Sequence, residues 1–320
     1  MKLFLATSCD FPREKGPIPV WENMAAQDKT RKHFLVPNAE EADCILFPDL
    51  HLHLDFELRG LRKHALWKRH AEKILVYDER DKPTLPLRGL FVSMEKTRFD
   101  PQTQRACAYY SNRPAFEPTH EREPDLLFSF VGSPSHPIRE RLFELKHPRA
   151  HIERLSHSQF WDENAAREQR ENFATLMARA KFSLCPRGHG TSSIRLFETL
   201  GAGRVPVVIS DDWTPLPEIV EADCAIFVAQ SDIGKLPEIL EEAEPRFETM
   251  ARNAKQVFAN HYASDVHFHR MAEKCESLLG ISTAFKPEFP REYYELKWEH
   301  WRFQARCKAG RVKRKLLRSN

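Results

Sequence analysis

Short apolar runs alternate with amphipathic stretches along most of the chain, and this alternation predicts strands separated by helices. The predicted strands cover residues 2–6, 44–47, 73–77, 89–93, 126–131, 151–155, 182–185, 205–209 and 224–228. The predicted helices cover residues 20–34, 59–72, 168–180 and 194–200, with another beginning at 137 and one or two within 236–261. Strands that alternate with helices form parallel sheets covered on both faces, so an α/β fold is expected.

The alternation stops between residues 95 and 125, a stretch rich in proline, polar and aromatic residues that has no clear period. A chain of 320 residues is long enough for two domains of about 150 residues each. We therefore predict an N-terminal Rossmann-like domain over residues 1–120 and a second one over residues 121–280. Residues 281–320 are aromatic and basic, and we expect them to form helices that pack across the domain junction.

The most informative stretch runs from Ala180 to Glu218. An apolar strand ends at Pro186, and a loop with two glycines, a threonine and two serines leads into an apolar helix beginning at Ile194. Gly201 and Gly203 end that helix, and a run of β-branched residues follows as a second strand. This order predicts a β-loop-α-β unit with two parallel strands and a right-handed crossover.

The candidate chemistry lies in this loop and in the first turns of its helix. The start of a helix offers free N–H groups and a partial positive charge. Ser192 or Ser193 can cap one of these N–H groups, and an anion can bind at the same end of the helix. Arg187 and Arg195 add two cations, and Glu198 lies three residues after Arg195 on the same face. A nucleotide-sugar site needs a cation for the diphosphate and a carboxylate for ribose hydroxyls. The alternative is an ordinary surface ion pair, worth under about 0.5 kcal/mol.

A second candidate anion site begins the second half of the chain. The strand Leu126–Val131 is closed by Gly132, and a helix beginning at Pro137 carries Arg139 in its first turn. Strand, glycine turn and early arginine again form an anion-binding geometry. The alternative for Arg139 is a solvated charge on a helix surface.

Three segments together resemble the exostosin-like glycosyltransferases, glycosyltransferase family 47. The loop motif is matched by Cys185-Pro186-Arg187-Gly188, the helix motif by Ile194-Arg195-Leu196-Phe197-Glu198, and the strand motif by Arg204-Val205-Pro206-Val207-Val208-Ile209-Ser210. The departures are Arg204, where the family has a small residue or cysteine, and Thr199, where alanine is common. The match is dense over about forty residues.

The resemblance implies a GT-B fold, in which two facing Rossmann-like domains enclose a cleft. It also implies an inverting transferase that moves a sugar from a nucleotide sugar, most commonly a UDP-sugar, to a hydroxyl of a glycan or glycolipid. The expected substrate-binding residues are Gly132, Arg139, Arg187, Gly188, Ser192, Ser193, Arg195 and Glu198. The sequence leaves open a non-catalytic exostosin-like subunit that binds sugar or partners.

An inverting reaction also needs a base for the proton of the acceptor hydroxyl. In a GT-B enzyme we expect it on a loop of the first domain that faces the cleft. The acids and histidines at strand ends there are Asp10, Asp49, His51 and Asp78. We select Asp49 and His51 as the candidate catalytic residues, with Asp10 and Asp78 next, because Asp49 and His51 follow the strongest short strand.

No cofactor and no metal are expected. The chain contains no Walker loop and no Asp-x-Asp motif, and Gly201-Ala202-Gly203 follows a helix rather than a strand, so it does not resemble a dinucleotide-binding fingerprint. Arginines and a helix dipole would then hold the diphosphate. His51 and His53 with neighbouring aspartates form only a weak metal pattern.

Net charge and cysteine content limit which cellular compartment and which classes of partner we expect. The formal net charge is +3, and the seven cysteines contain no C-x-x-C pair, which favours reduced thiols in a cytosol. No run of eighteen apolar residues occurs, so we expect a cytoplasmic protein. The basic residues between 302 and 318 can touch an anionic membrane that carries lipid-linked acceptors, or can be a solvated tail. One short basic cluster is too little to favour nucleic acid.

Overall fold

The computed structural model describes residues 1–8, 16–49, 61, 63–82, 87–109, 123–155 and 172–281. Within these residues eleven strands form two sheets, and every pair of neighbouring strands is parallel. The architecture is the expected α/β fold, with two Rossmann-like domains.

The first sheet has six strands in the order β2-β1-β3-β4-β5-β6. Their bounds are β1 Lys2–Leu5, β2 Phe34–Leu35, β3 Cys44–Phe47, β4 Ile74–Asp78, β5 Gly89–Phe91 and β6 Gln104–Ala106. Every residue of β3, β4 and β5 is buried. Continuous apolar strands are typical of a parallel sheet that is covered on both faces.

The second sheet has five strands in the order β11-β10-β9-β7-β8. Their bounds are β7 Leu126–Gly132, β8 Ala150–Arg154, β9 Ala180–Pro186, β10 Val205–Ile209 and β11 Ile226–Phe227. The strands β9 and β10 pair in parallel from Phe182 and Val205 onward, which confirms the predicted parallel pairing.

Helices cover both sheets. Their bounds are α1 Ile18–Gln27, α2 Ala65–His70, α3 Pro137–Phe143, α4 Ile194–Gly201, α5 Pro217–Glu221, α6 Leu236–Ala243, α7 Phe247–His261 and α8 His267–Leu279. Residues 172–179 are also helical. No helix in the described ranges is long and apolar enough to cross a membrane.

One buried hydrophobic cluster contains residues of both domains. Phe91, Met94 and Ala108 of the first domain lie in the same buried cluster as Phe197 and Trp213 of the second. Because the burial of apolar surface is the main stabilising term in folding, this cluster joins the two sheets firmly.

Backbone hydrogen bonds also cross the junction. Glu95 and Trp213 form an isolated antiparallel bridge, the Lys96 amide donates to the Asp212 carbonyl at 2.7 Å, and the Thr214 amide donates to the Met94 carbonyl at 2.8 Å. A short two-stranded contact therefore links the loop after β5 to the loop after β10.

The chain returns to the first domain at its end. Helix α8 follows the second sheet in sequence, yet its side chains Phe268, Met271 and Leu278 pack with Leu46 and Leu75 of the first sheet. A helix thus crosses the junction earlier in the chain than the predicted 281–320 extension. That extension lies outside the described residues from 282 onward, and the predicted boundary at residue 120 lies within the undescribed stretch 110–122, so both stay predictions.

One surface cluster leads to a prediction about stability at low pH. Glu244 accepts hydrogen bonds from Arg149 at 2.6 and 2.8 Å and from Lys181 at 2.8 Å, and these contacts lower its pKa from 4.5 to about 2. A carboxyl group with a lowered folded-state pKa stabilises the fold above its unfolded pKa, and this stabilisation is lost as the pH falls towards 2. Solvent screening limits it to about 1 kcal/mol.

We therefore expect Glu244→Gln to lower the free energy of unfolding by about 1 kcal/mol at pH 7. The difference from the wild type should shrink as the pH falls from 4.5 towards 2, where the wild-type carboxylate is also neutralised. Urea unfolding at pH 7 and pH 3 measures both values. The matched control is Glu242→Gln, an exposed position two residues earlier, near the end of α6. An equal loss at both pH values would contradict the explanation.

Candidate functional site

The candidate site lies in the loop of residues 187–193, which connects the carboxyl end of β9 to the start of α4. The Arg187 amide donates to the Ile209 carbonyl at 3.1 Å, so the loop leaves the sheet directly beside the end of β10. In open α/β sheets, ligands bind beyond the carboxyl ends of the strands. The sequence-predicted loop therefore occupies the position at which this fold places a ligand.

The start of α4 keeps its partial positive charge. Ser193 occupies the N-cap position with an extended backbone, but its hydroxyl makes no capping hydrogen bond, and the first turn holds no acidic residue. The Ser192 hydroxyl is buried and lies near the Tyr109 hydroxyl, and it accepts from no N–H group of the helix start. Neither serine therefore caps the helix as the sequence suggested, and the helix dipole remains available to an anion.

Arg195 is held between two aromatic rings in the first turn of α4. The centre of its guanidinium lies 5.3 Å from the Phe130 ring and 4.6 Å from the Phe173 ring. Both contacts are within the range of cation–π attraction. Its buried Nε contacts no acceptor in the described part of the chain, and burial lowers the pKa of Arg195. The guanidinium is thus fixed in place with hydrogen-bonding capacity left over.

Glu198 lies one turn further along α4, on the face predicted from the spacing. Burial raises the pKa of Glu198, and the nearby charge of Arg195 opposes that rise. Glu198 in turn opposes the lowering of the Arg195 pKa. Since both groups are desolvated, the pair differs from the exposed ion pair that was the alternative interpretation.

Arg139 lies in the first turn of α3 and reaches the same loop. Its guanidinium donates from Nε to the Arg187 carbonyl at 2.9 Å and from Nη2 to the Pro186 carbonyl at 3.1 Å, with a longer bond from Nη1 to the Ser133 carbonyl at 3.3 Å. These bonds show Arg139 holding the loop rather than standing free as a solvated charge. Three of its five N–H donors are used, so a direct contact with a diphosphate stays a prediction.

Two glycines allow this close approach. A side chain at Gly188 would place its Cβ 3.3 Å from Nη2 of Arg139, and one at Gly132 would place it 2.9 Å from the Phe130 ring. A Cβ so close to a ring carbon would force one of them to shift. Both glycines singled out from the sequence therefore have a packing role beside Phe130 and Arg139.

The outer part of the loop is electropositive. Arg187 forms an ion pair with Asp212 at 2.9 Å, and its buried Nε contacts no acceptor among the described residues. His136 precedes α3, and its pKa is lowered by burial and by the charges of Arg187 and Arg139. Three cationic or ionisable side chains thus converge on residues 186–189. The sequence reasoning included both arginines but missed His136.

The predicted catalytic residues are placed differently. Asp49 is fully buried at the end of β3, where its Oδ2 accepts from the Thr7 hydroxyl at 2.6 Å and from the Ser8 amide at 2.9 Å. Asp78 is also fully buried and pairs with Arg80 through both carboxylate oxygens. Asp49 thus binds the segment after the neighbouring strand β1, and Asp78 binds Arg80 beside its own strand end, which argues against either as a base. His51 and Asp10 lie outside the described residues.

The loop touches the first domain directly. A Cβ at Gly190 would lie 2.6 Å from the Ser93 hydroxyl and 2.7 Å from Oδ1 of Asp81. Burial raises the pKa of Tyr109 to about 12, and the Ser192 and Ser93 hydroxyls oppose that rise. The carboxyl edges of the two sheets therefore face one another across Gly190, with polar groups on both sides.

Sequence reasoning missed the rings that position Arg195. Phe130 and Gly132 share one face of β7 by strand alternation, so the sequence did hold a signal for the first ring. Phe173 comes from a helix more than twenty residues before Arg195, and no local pattern links the two. Only the tertiary structure brings them together.

Part of the chain matches a known family. Residues 102–243 match the model of the exostosin GT47 domain. The matched region contains all eight predicted substrate-binding residues, whereas Asp49 and His51 lie before it.

Two curated relatives of the GT47 domain extend the comparison. The "Exostosin-1 homolog" of Caenorhabditis elegans is 38% identical over 92 residues, 28% of this chain and 24% of the relative. The "Probable glucuronoxylan glucuronosyltransferase IRX7" of Arabidopsis thaliana is 44% identical over 78 residues, 23% of this chain and 17% of the relative. The matches thus span about a quarter or less of each relative's length.

Among solved structures, Anabaena Alr3699/HepE in complex with UDP-glucose is similar to this chain. The superposition covers 87% of this chain and 99% of the Anabaena chain, with 11% identity and a TM-score of 0.45.

Proposed function

We propose that this chain is an inverting glycosyltransferase that moves a sugar from a nucleotide-sugar donor, a UDP-sugar, to a hydroxyl of a glycan or glycolipid. The observation that carries the proposal is Arg195, held between two rings at an uncapped helix start and one turn from a desolvated Glu198. The glucuronosyltransferase names of several relatives support a sugar nucleotide as donor.

The positive groups around the loop favour a diphosphate. Arg139 and Arg195 both lie against Phe130, at 5.8 and 5.3 Å, and the pKa of Arg139 falls to about 10 through burial and the charge of Arg195. Two buried like charges destabilise one another, and an anion bound between them and the helix start relieves that repulsion. The same groups would stabilise the charge that develops on the departing nucleoside diphosphate.

Glu198 fits the ribose of the donor. Its carboxylate lies on the same helix face as Arg195, so a nucleotide whose diphosphate binds Arg195 can present its ribose hydroxyls to Glu198. The raised pKa of Glu198 reflects desolvation. A hydrogen bond from a hydroxyl to a desolvated carboxylate is stronger than one made in water.

The reaction then needs one displacement at the anomeric carbon. The acceptor oxygen forms a bond to that carbon while the bond to the diphosphate oxygen breaks, and the electron pair leaves with the diphosphate. The transition state has oxocarbenium character, as in glycoside hydrolysis. The loop and α4 stabilise the leaving group, so the acceptor hydroxyl has to lose its proton on the side of the first domain.

The non-catalytic alternative is disfavoured by the same residues. Burying an arginine and a carboxylate at a helix start costs free energy. A subunit that only binds partners would gain nothing from these two residues to offset that cost. The membrane contact and the cytoplasmic location stay predictions, since the basic residues on which they rest lie outside the described part of the chain.

A donor screen tests the proposal. The chain is incubated with UDP-sugars and GDP-sugars, with and without glycan acceptors, and release of the nucleoside diphosphate is measured. We expect release with at least one UDP-sugar, stimulated by an acceptor. Absence of release and of UDP binding would overturn the proposed function, whereas UDP binding without release under any acceptor would favour the non-catalytic subunit.

We expect transfer to survive EDTA. The sequence has no Asp-x-Asp motif, and the arginines and the helix start are available to neutralise the diphosphate. In the described residues, no group of three His, Cys, Asp or Glu side chains is placed to hold a metal ion. The rate of transfer is measured after chelation and after adding back Mg²⁺ or Mn²⁺. A complete loss that is restored by the metal would contradict this expectation.

A further inference from the structure

Asp81 is an acidic residue of the first domain whose carboxylate lies against the candidate donor loop. It follows β4 by three residues and is exposed. A Cβ built on Gly190 would lie 2.7 Å from Oδ1 of Asp81 and 2.9 Å from its Cα. The carboxylate therefore sits over the backbone of Gly190, at the place where the carboxyl edges of the two sheets meet.

The surroundings of Asp81 connect it to the donor site. The loop passes from Gly188, beside the guanidinium of Arg139, to Gly190, beside Asp81. Positions two residues apart in a chain are separated by at most about 7 Å. The charge of Asp81 opposes the lowering of the Arg139 pKa by burial and Arg195, which places the carboxylate within electrostatic reach of the site's cations.

Two other acids at the same sheet edge, Asp49 and Asp78, are engaged. Asp49 is fully buried and accepts from Thr7 and Ser8, and Asp78 is fully buried and pairs with Arg80. Asp81 is neither buried nor tied to its own strand end. An exposed carboxylate can exchange a proton with water after each turnover, which a buried, hydrogen-bonded one does far less readily.

Resting on the proposed function, we propose that Asp81 is the base that takes the proton from the acceptor hydroxyl. As the acceptor oxygen bonds to the anomeric carbon, its proton passes to the Asp81 carboxylate, and the diphosphate leaves towards the loop and α4 with the electron pair of the broken bond. The protonated Asp81 then releases its proton to solvent. A carboxylate suffices because the hydroxyl becomes acidic as its oxygen bonds to the anomeric carbon.

The test compares Asp81→Asn with the wild-type chain in transfer rate and in UDP affinity. Removal of a general base typically slows the reaction about 10²- to 10⁴-fold, and we expect a loss in this range with the UDP dissociation constant changed less than about threefold. The matched control is Glu40→Gln, the same charge loss at an exposed position at the amino edge of the same sheet, which should keep wild-type transfer. Thermal unfolding verifies that both variants fold.

The outcomes separate this inference from the proposed function. Wild-type transfer together with an Asp81→Asn rate within about threefold of it overturns the base assignment alone. A parallel loss of UDP affinity and rate in Asp81→Asn also overturns it, because Asp81 would then position the donor loop. No transfer by the wild-type chain with any donor overturns the proposed function, and the base assignment with it.

Discussion

Replacing Arg195 with alanine is expected to weaken UDP binding by about 10- to 100-fold while leaving the fold intact. A charge-assisted hydrogen bond to a diphosphate contributes about 1.5–3 kcal/mol, and this variant removes it. The loss also leaves Glu198 without the cation that opposes its raised pKa, so the carboxyl should become harder to ionise. Titration calorimetry with UDP measures the affinity, and thermal unfolding measures the stability.

Two further variants sharpen this prediction. Arg195→Lys keeps the charge but loses the planar group between Phe130 and Phe173, so it should recover only part of the affinity. Arg252→Ala removes an exposed arginine from α7 and should bind UDP like the wild type. If Arg195→Ala binds UDP with unchanged affinity, the diphosphate does not bind at the start of α4.

Replacing Trp213 with alanine is expected to destabilise the chain by about 3–5 kcal/mol. Trp213 is 2% exposed, belongs to the core shared by the two domains, and its indole N–H donates to the Val92 carbonyl across the junction at 3.3 Å. Alanine leaves a cavity at the junction and an unpaired carbonyl. Urea unfolding followed by intrinsic fluorescence and by circular dichroism measures the loss.

The control for the junction is Trp213→Phe. It keeps most of the buried ring and removes only the indole hydrogen bond, so it should cost far less than alanine, about 1 kcal/mol for the hydrogen bond and some packing. Since one buried cluster contains residues of both domains, the wild-type chain should unfold in one transition. Trp213→Ala can instead unfold in two transitions, one for each domain. A Trp213→Ala variant as stable as the wild type would show that the shared core does not couple the domains.

The second domain could be predicted well because its local signals agree with one another. Apolar runs, the glycine-rich loop, the helical spacing from Ile194 and the β-branched run from Val205 all favour the same β-loop-α-β unit, and the structure confirms it. Helix α4 also places Glu198 on the face of Arg195, because side chains three residues apart on a helix are neighbours.

The missed elements lacked such signals. Strand β6, Gln104–Ala106, has three residues of mixed polarity and lies at the sheet edge, so no apolar run marks it within the segment read as a passage. Helix α8 was not predicted, and its amphipathic spacing would have shown a buried face but not which domain covers it.

In the candidate site, the sequence did not predict the contacts and burial of individual side chains. Asp49, Asp78 and Asp81 lie at or just after strand ends along one sheet edge, and sequence position does not show which of them is buried, paired or exposed. The role of Arg139 also depends on tertiary contact, since it holds carbonyl groups 47 and 48 residues away along the chain. Spacing along the sequence therefore identified the cations but not what each of them contacts.

A crystal structure of the chain with UDP tests most directly whether the start of α4 is the donor site. We expect the diphosphate within hydrogen-bonding distance of the Arg195 guanidinium and the first backbone N–H groups of α4, with the ribose hydroxyls on Glu198. A diphosphate that binds away from the 187–195 loop and does not contact Arg195 would show that the donor binds elsewhere.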